Sequence, residues 1–336
     1  GVVCSLGVLR CSVHNRLMFN NAAGFNADLS KWKTSSAVDM SGMFYDCTAF
    51  NADVSNWDVS SVRDMSSMFY SGRQPKVILE SERDPVTERN VYTKVESYVK
   101  TEFDQNLNKW DVRSVMDMTA MFTNADEFDG QIGEWKTQSV RSFKDMFNNA
   151  QRFNCDISLW DMQSATDVSG MFEQSLFDQD ISQWNFDKVI NASRMFYHNA
   201  NFNNGVPTMP RVLDLTSMFE GAASFNSPTY QVTEKYTKTK NMFKGATAFQ
   251  ANNVCEHPLD GPPSECGLAI TDADFKAALH ECLSTSLAGD CPESPFGVLS
   301  KWKTSKITNM QNLFAIRVAV QETLECYAFT GDISKW

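Results

Sequence analysis

Residues 25–32, Phe-Asn-Ala-Asp-Leu-Ser-Lys-Trp, return almost unchanged along the chain. They recur as Phe-Asn-Ala-Asp-Val-Ser-Asn-Trp at 50–57 and as Phe-Asn-Cys-Asp-Ile-Ser-Leu-Trp at 153–160. Each copy is followed by a Met-Phe pair, at 43–44, 68–69 and 171–172. Self-similarity at a fixed period is the sequence signature of a repeat architecture, so this phrase decides the fold.

The period predicts a repeat solenoid. Uninterrupted Met-Phe pairs are 23 to 25 residues apart, which is the size of a leucine-rich repeat. We expect a leucine-rich-repeat-like right-handed coil built from short parallel strands and short helical or 3₁₀ turns. The strand is predicted at residues 28–32 and its equivalents, and the helical turn at residues 39–49.

The apolar positions within each repeat predict the core, because one repeat cannot bury them without its neighbours. The tryptophans could instead form a platform on which sugars stack, but their fixed place in an apolar frame favours the core. The predicted structural core residues are Phe25, Trp32, Met43, Phe44, Phe50, Trp57, Met68, Phe69, Trp110, Met121, Phe122, Trp135, Phe153, Trp160, Met171, Phe172 and Trp184.

Polar residues recur in columns of their own. The asparagine after the opening phenylalanine predicts an asparagine ladder, in which each amide bonds backbone groups of the adjacent repeat. Its members are Asn26, Asn51, Asn154, Asn203 and Asn226. A second column predicts carboxylates that cap their own turns, with Ca²⁺ between repeats as the alternative. It contains Asp28, Asp53, Asp156 and Asp180. No other cofactor or metal is expected.

The composition limits the partners. The net charge is −11, which disfavours nucleic acid and anionic membranes. No run of 18 apolar residues occurs, so no membrane span is expected in this fragment. Both ends of the chain resemble cuts in a longer polypeptide.

Interruptions of the period divide the chain into three parts. Residues 1–251 are predicted to form the first repeat array, with a loop inserted at 70–102 or, equally, a translated intron there. Residues 252–266 are an irregular linker rich in Cys and Pro. Residues 267–336 are predicted to hold an amphipathic cap helix near 272–284 and the start of a second, truncated array.

Five of the nine cysteines lie between residues 255 and 326. Cys255 with Cys266, and Cys282 with Cys291, are candidate disulfides in an oxidising compartment. The alternative is a set of unrelated buried thiols.

The phrase Phe-Asn-x-Asp-Ile-Ser-x-Trp-Asp-Val-Ser-x-Val-x-Asp-Met-Ser-x-Met-Phe resembles the BspA-type leucine-rich-repeat surface proteins. Residues 50–69 and 153–172 match it nearly position by position. The resemblance implies a secreted or cell-surface protein involved in adhesion and in binding extracellular proteins. It supplies no catalytic residues.

The sequence therefore predicts a non-enzymatic protein that binds other macromolecules, proteins or glycans, through its solenoid surface. The positions beside the signature residues vary from repeat to repeat and would carry the specificity. These are Lys31, Asn56, Lys109, Glu134, Leu159 and Gln183. A purely architectural role, with the array packing against copies of itself, is the first alternative. A hydrolase with an unrecognised site is the second.

Overall fold

The computed structural model describes residues 14–72, 75–83, 90–227, 238–255, 259–260 and 267–268, together with positions 275, 277–279, 281, 282, 302 and 307. The repeats stack in sequence order. One residue of each repeat forms a parallel β-bridge with its counterpart in the next repeat. The bridges join, in order, His14, Asp39, Asp64, Asp117, Ser142, Asp167, Asn191, Asp214 and Lys238.

Each repeat turns sharply just after its bridge residue. In the second repeat the Met43 N–H donates to the Met40 carbonyl at 3.2 Å, and the Cys47 N–H donates to the Phe44 carbonyl at 3.1 Å. The third residues of these turns, Gly42 and Asp46, have φ values of +57° and +56°. A positive φ at the third position is what a type II turn requires. The first of these positions has positive φ in every repeat of the described array, and the second has it in every such repeat except the third, where the residue is Ser71.

Other backbone groups of the turn region bond the next repeat rather than their own. The Gly42 N–H donates to the Ser66 carbonyl at 2.8 Å, and the Phe44 N–H donates to the Met68 carbonyl at 2.9 Å. Buried N–H groups are thereby paired between repeats. Each repeat consequently needs a neighbour for its hydrogen bonds as well as for its apolar side chains.

Two parts of the sequence prediction are wrong. Residues 39–49 form no helix or 3₁₀ segment, because the residues with positive φ break any right-handed helix there. Residues 28–32 form a turn and not a strand: the Trp32 N–H bonds the Leu29 carbonyl at 3.0 Å. The extended contact between repeats is instead the single bridge residue. The right-handed, leucine-rich-repeat class of the fold stays a prediction.

The core consists of parallel columns of stacked rings. Within a repeat the two phenylalanines lie face to face, as in Phe147 and Phe153 with ring centroids 3.8 Å apart. Between repeats the spacing is larger, 5.7 Å from Phe122 to Phe147. Burying one phenylalanine contributes about 1.5–3 kcal/mol, so the columns are a main source of stability. The predicted core residues are buried except Phe25 and Trp32, which are partly buried near the start of the described array.

The insertion at 70–102 is a β-hairpin where the sequence predicted a loop. Strand β1, Pro75–Arg83, pairs antiparallel with strand β2, Asn90–Tyr98. The stack continues in register across the insertion. The Phe69 N–H bonds the Met121 carbonyl at 2.9 Å, and the rings of Phe69 and Phe103 stack at 3.9 Å.

Short elements follow the last bridge. Helix α1, Thr247–Asn252, continues into strand β3, Asn253–Val254, which pairs antiparallel with strand β4, Gly267–Leu268. Within the predicted cap helix at 272–284, positions 275, 277–279, 281 and 282 are helical, and Phe275, Leu279 and Cys282 are buried. The rest of that helix, and nearly all of the predicted second array, lie outside the described residues.

Candidate binding surface

The tryptophan column is part of the core. Trp160 is 3% exposed and stacks between Trp135 and Trp184, at centroid distances of 5.9 and 6.4 Å. Its Nε1–H donates to the Ile132 carbonyl of the preceding repeat at 3.0 Å. The same bond recurs along the column from Trp57 to Trp184. The tryptophans from Trp57 to Trp184 are buried in this column, so sugars cannot stack on them, whereas Trp32 at its start is only partly buried.

The asparagine column forms a ladder of side chain to backbone hydrogen bonds. Asn26 Oδ1 accepts the Asn51 N–H of the next repeat at 2.9 Å, and Asn203 Oδ1 accepts the Asn226 N–H at 2.8 Å. The sequence interpretation missed three members of the ladder, because they are aspartates. Asp104, Asp129 and Asp178 accept from the next repeat in the same way. Their place directly after a repeat phenylalanine was the available signal.

The aspartates of the second column cap their own turns. Asp28 Oδ1 accepts the N–H of Ser30 at 2.8 Å, and Asp53 and Asp156 do the same for the serine two residues later. Asp180 accepts from Ser182 at 2.8 Å. This is the local bonding expected of aspartate in turns. Among the described residues no group of three His, Cys, Asp or Glu side chains could hold a metal ion.

Hydrogen bonds lower the pKa of several of these carboxyls. The Ser30 and Ser55 hydroxyls are the main cause of the low pKa values of Asp28 and Asp53, and the Ser158 N–H is the main cause for Asp156. Pairing with Arg152, then with Lys100, lowers the pKa of Glu127. Asp145 differs from these, because its burial raises its pKa.

Stability should therefore fall in acid. A carboxyl whose pKa is lowered in the folded state stabilises that state at any pH above the carboxyl's ordinary pKa. This stabilisation is lost as the pH falls through the lowered pKa. Asp145 acts in the opposite sense, but the lowered groups outnumber it. We expect the melting temperature to drop as the pH is taken from about 4 to about 2.5, measured by circular dichroism.

The matched variant for this acid titration is Asp156→Asn. Asparagine still accepts the Ser158 N–H and caps the turn, but it does not titrate. The drop in melting temperature in acid should be smaller for this variant than for the native chain. An unchanged melting temperature across the acid range would contradict the expectation.

One column of exposed and half-buried side chains runs beside the bridge residues. We call it the ridge, and each member immediately precedes a bridge residue. Its backbone is continuous between repeats: the Met116 N–H bonds the Arg63 carbonyl at 2.8 Å, and the Leu213 N–H bonds the Ile190 carbonyl at 2.9 Å. The ridge consists of Val38, Arg63, Met116, Arg141, Thr166, Ile190 and Leu213.

The ridge is apolar and basic on an acidic chain. Met116, Ile190 and Leu213 are 37%, 49% and 51% exposed. Arg63 and Arg141 are exposed as well, and no member of the ridge is acidic. The variable positions named from the sequence, Lys31, Asn56, Lys109, Glu134, Leu159 and Gln183, are also all exposed.

The side chains of the type II turns form a second surface, the turn face. In its later repeats, charged groups link neighbouring units. The Nε–H and an Nη2–H of Arg194 donate to the buried Glu173 carboxylate, at 2.8 and 2.6 Å. The same guanidinium lies 3.8 Å over the Tyr197 ring. Lys244 reaches Glu220 at 2.8 Å.

In its first repeats the turn face contains an open groove of about 310 Å³. We call it the Tyr45 groove. It spans three repeats and is lined by Arg16, Ser41, Gly42, Tyr45, Asp64 and Ser67, among others. The Tyr45 ring stacks on Tyr70 of the next repeat at 4.5 Å.

The cysteines fall into two groups. Cys47 and Cys155 are free, buried thiols, and burial raises the pKa of Cys47 to about 11. Cys255 and Cys282 are disulfide-bonded. Positions 266 and 291 lie outside the described residues, so the pairings Cys255–Cys266 and Cys282–Cys291 stay predictions.

Thiol chemistry should separate these groups. Native Cys47 and Cys155 should resist iodoacetamide at neutral pH, because the thiolate is the reactive form and both thiols are buried with raised pKa values. Denaturation should expose both to alkylation. A peptide map made without reductant should contain the two predicted disulfides. Rapid labelling of native Cys47 or Cys155, or free thiols at 255 and 282, would contradict this assignment.

No helix in the described part of the chain is both long and apolar enough to cross a membrane.

The comparisons with known proteins give one match. The family model described as "Mycoplasma protein of unknown function, DUF285" matches residues 12–80, 90–209, 174–256 and 292–336. Together these matches extend over most of the chain, including its repeats. No curated protein and no solved structure matches the chain significantly.

Proposed function

We propose that this chain, which belongs to the DUF285 family of Mycoplasma proteins of unknown function, is a non-enzymatic binding protein of the BspA-like surface type. Its activity is to hold another macromolecule on its stacked repeats, without turnover. The ridge is the proposed contact surface for a protein partner.

The composition of the ridge carries this proposal. Met and Arg are enriched in protein interfaces, and the ridge contains Met116 with Arg63 and Arg141. Ile190 and Leu213 add two neighbouring aliphatic side chains, each about half exposed. Such a strip suits a partner that presents apolar side chains between acidic groups. Stacked repeats provide extended surfaces of this kind.

An extracellular or cell-surface location is part of the proposal. Two cysteines are disulfide-bonded, and disulfides persist in oxidising environments. The resemblance to BspA-type surface proteins supports the same location.

In the architectural alternative, the stacked repeats contact other copies of the chain and not a different protein. In that case copies of the chain would contact each other, as in a coat or appendage. A hydrolase is a weaker alternative, because the regular features of the sequence serve packing, turn capping and contacts between repeats.

Site-specific photo-crosslinking in native cells tests the proposal. A benzoylphenylalanine is placed at Ile190 on the ridge, and at Gln174, an exposed position on the turn face, as the matched control. We expect a different protein to be crosslinked from position 190 and not from position 174. Arg63→Glu combined with Arg141→Glu should abolish that product without lowering the melting temperature.

The other outcomes are informative. Products that contain only this chain would favour the architectural alternative. Equal products from positions 190 and 174, or persistence of the product in the double variant, would contradict a role for the ridge.

A further inference from the structure

We propose that the Tyr45 groove is a binding subsite for a neutral oligosaccharide. This inference rests on the proposed binding function and assigns one ligand class to a surface separate from the ridge. It is carried by the groove's size, its aromatic wall, its polar lining and its balanced charge.

The groove has the dimensions of a small-molecule site. Its volume of about 310 Å³ lies at the lower end of the range of about 300–1,000 Å³ typical of ligand pockets. Gly42 and Ser67 line the groove together with Leu17, whose side chain lies against Gly42.

One wall of the groove is aromatic. Tyr45 is half-buried, and Tyr70 stacks behind it with an interplanar angle of 16°. This stacking fixes the ring orientation. An aromatic side chain with a polar tip presents an apolar body and a hydrogen-bonding hydroxyl to the same ligand. A sugar, with apolar C–H faces and hydroxyl edges, has the complementary surface.

The polar lining supplies both donors and acceptors. Asp64 Oδ1 accepts the Ser66 N–H and hydroxyl at 2.9 and 2.7 Å, and these bonds fix the carboxylate. Arg16 contributes guanidinium donors, and Ser41 and Ser67 contribute hydroxyls. Vicinal hydroxyls of a sugar donate to carboxylates and accept from guanidinium groups.

The charge of the lining favours a neutral ligand. Arg16 and Asp64 are the cation and the anion among the residues that line the groove, and their charges balance. A strongly anionic ligand would meet the Asp64 carboxylate, and a cationic one would meet Arg16. A neutral polyhydroxyl ligand can use both without an uncompensated charge.

Two pairs of variants test the subsite. Tyr45→Ala removes the aromatic wall, and Tyr197→Ala removes the corresponding half-buried tyrosine of a later repeat, outside the groove. Asp64→Asn keeps the turn cap, because Asn191 at the same place in another repeat accepts the Ser193 N–H and hydroxyl. Asp117→Asn makes the same change at a column position that does not line the groove.

The measurement is calorimetric titration of the full chain with chitotetraose, maltotetraose and mannotetraose. We expect at least one of them to bind, and both Tyr45→Ala and Asp64→Asn to weaken its binding about tenfold. Tyr197→Ala and Asp117→Asn should leave the Kd unchanged. No binding by any of the three at millimolar concentration, or equal affinity in groove and control variants, would overturn the subsite.

Failure of the subsite is distinguishable from failure of the proposed function. Crosslinking of a different protein from position 190 reports on the ridge and does not involve the groove. If that product forms while the sugars do not bind, the proposed function stands and the subsite is wrong.

Discussion

Trp160→Ala should lower the free energy of unfolding by about 3–5 kcal/mol. The indole is 3% exposed, stacks on tryptophans of both neighbouring repeats, and donates to the Ile132 carbonyl. Truncation to alanine leaves a cavity between two repeats and removes the donor for that carbonyl. Chemical denaturation followed by tryptophan fluorescence and circular dichroism measures the loss.

The adjacent residue provides the control. Leu159 is 75% exposed, so Leu159→Ala should change the free energy of unfolding by no more than about 0.5 kcal/mol. Trp160→Phe should fall between the two, because it keeps a stacked ring but loses the hydrogen bond. If Trp160→Ala has the same free energy of unfolding as the native chain, the tryptophan column does not stabilise the core.

Gly130→Ala should be destabilising by about 3 kcal/mol, at the upper end of the range for overpacked sites. A Cβ at Gly130 would overlap the backbone carbonyl oxygen of Gln105 in the neighbouring repeat, and would lie 2.9 Å from the Phe128 ring. A backbone oxygen cannot move aside as a flexible side chain can. The repeats would therefore have to separate locally, at the cost of the stacking described above.

Gly24→Ala is the matched control, since a Cβ there meets no atom within 4 Å. We expect it to be neutral or slightly stabilising, because alanine restricts the unfolded chain. The same denaturation experiment compares the two variants. Equal stability of Gly130→Ala and Gly24→Ala would show that the repeats are more loosely packed than the structure indicates.

The sequence was sufficient to predict which residues pack together. A fixed period places the same side chain at the same position of every repeat, and stacking then buries columns such as Trp135 and Trp160. This inference needs no knowledge of the backbone conformation. It also identified Asn26 and Asn51, which prove to bond the next repeat.

The backbone conformation was not predictable in the same way. The spacing of Met40, Met43 and Phe44 is typical of a helix face, but consecutive turns produce it equally well. Gly42 can adopt either conformation, and nothing in the sequence marks Asp46 as a residue with positive φ. The prediction of a helical segment therefore failed, although the burial of its apolar residues was correctly anticipated.

The groove was also missed, because its lining residues are contributed by three different repeats. Ser67 and Gly42 look like ordinary turn residues in the sequence. They line one groove with Arg16 and Tyr45, although these residues belong to three different repeats. Finding that set requires the repeats to be superimposed in the correct register.

The β-hairpin shows that the array accepts an inserted segment directly after Ser71. Phe69 and Phe103 stack as consecutive core rings, although 34 positions separate them in the chain. Removing residues 72–99 would restore the spacing of six found between Phe44 and Phe50. The hairpin can thus be exchanged for another module while the columns on either side keep their contacts. Insertions at this junction can therefore be gained or lost in evolution without changes to the core residues.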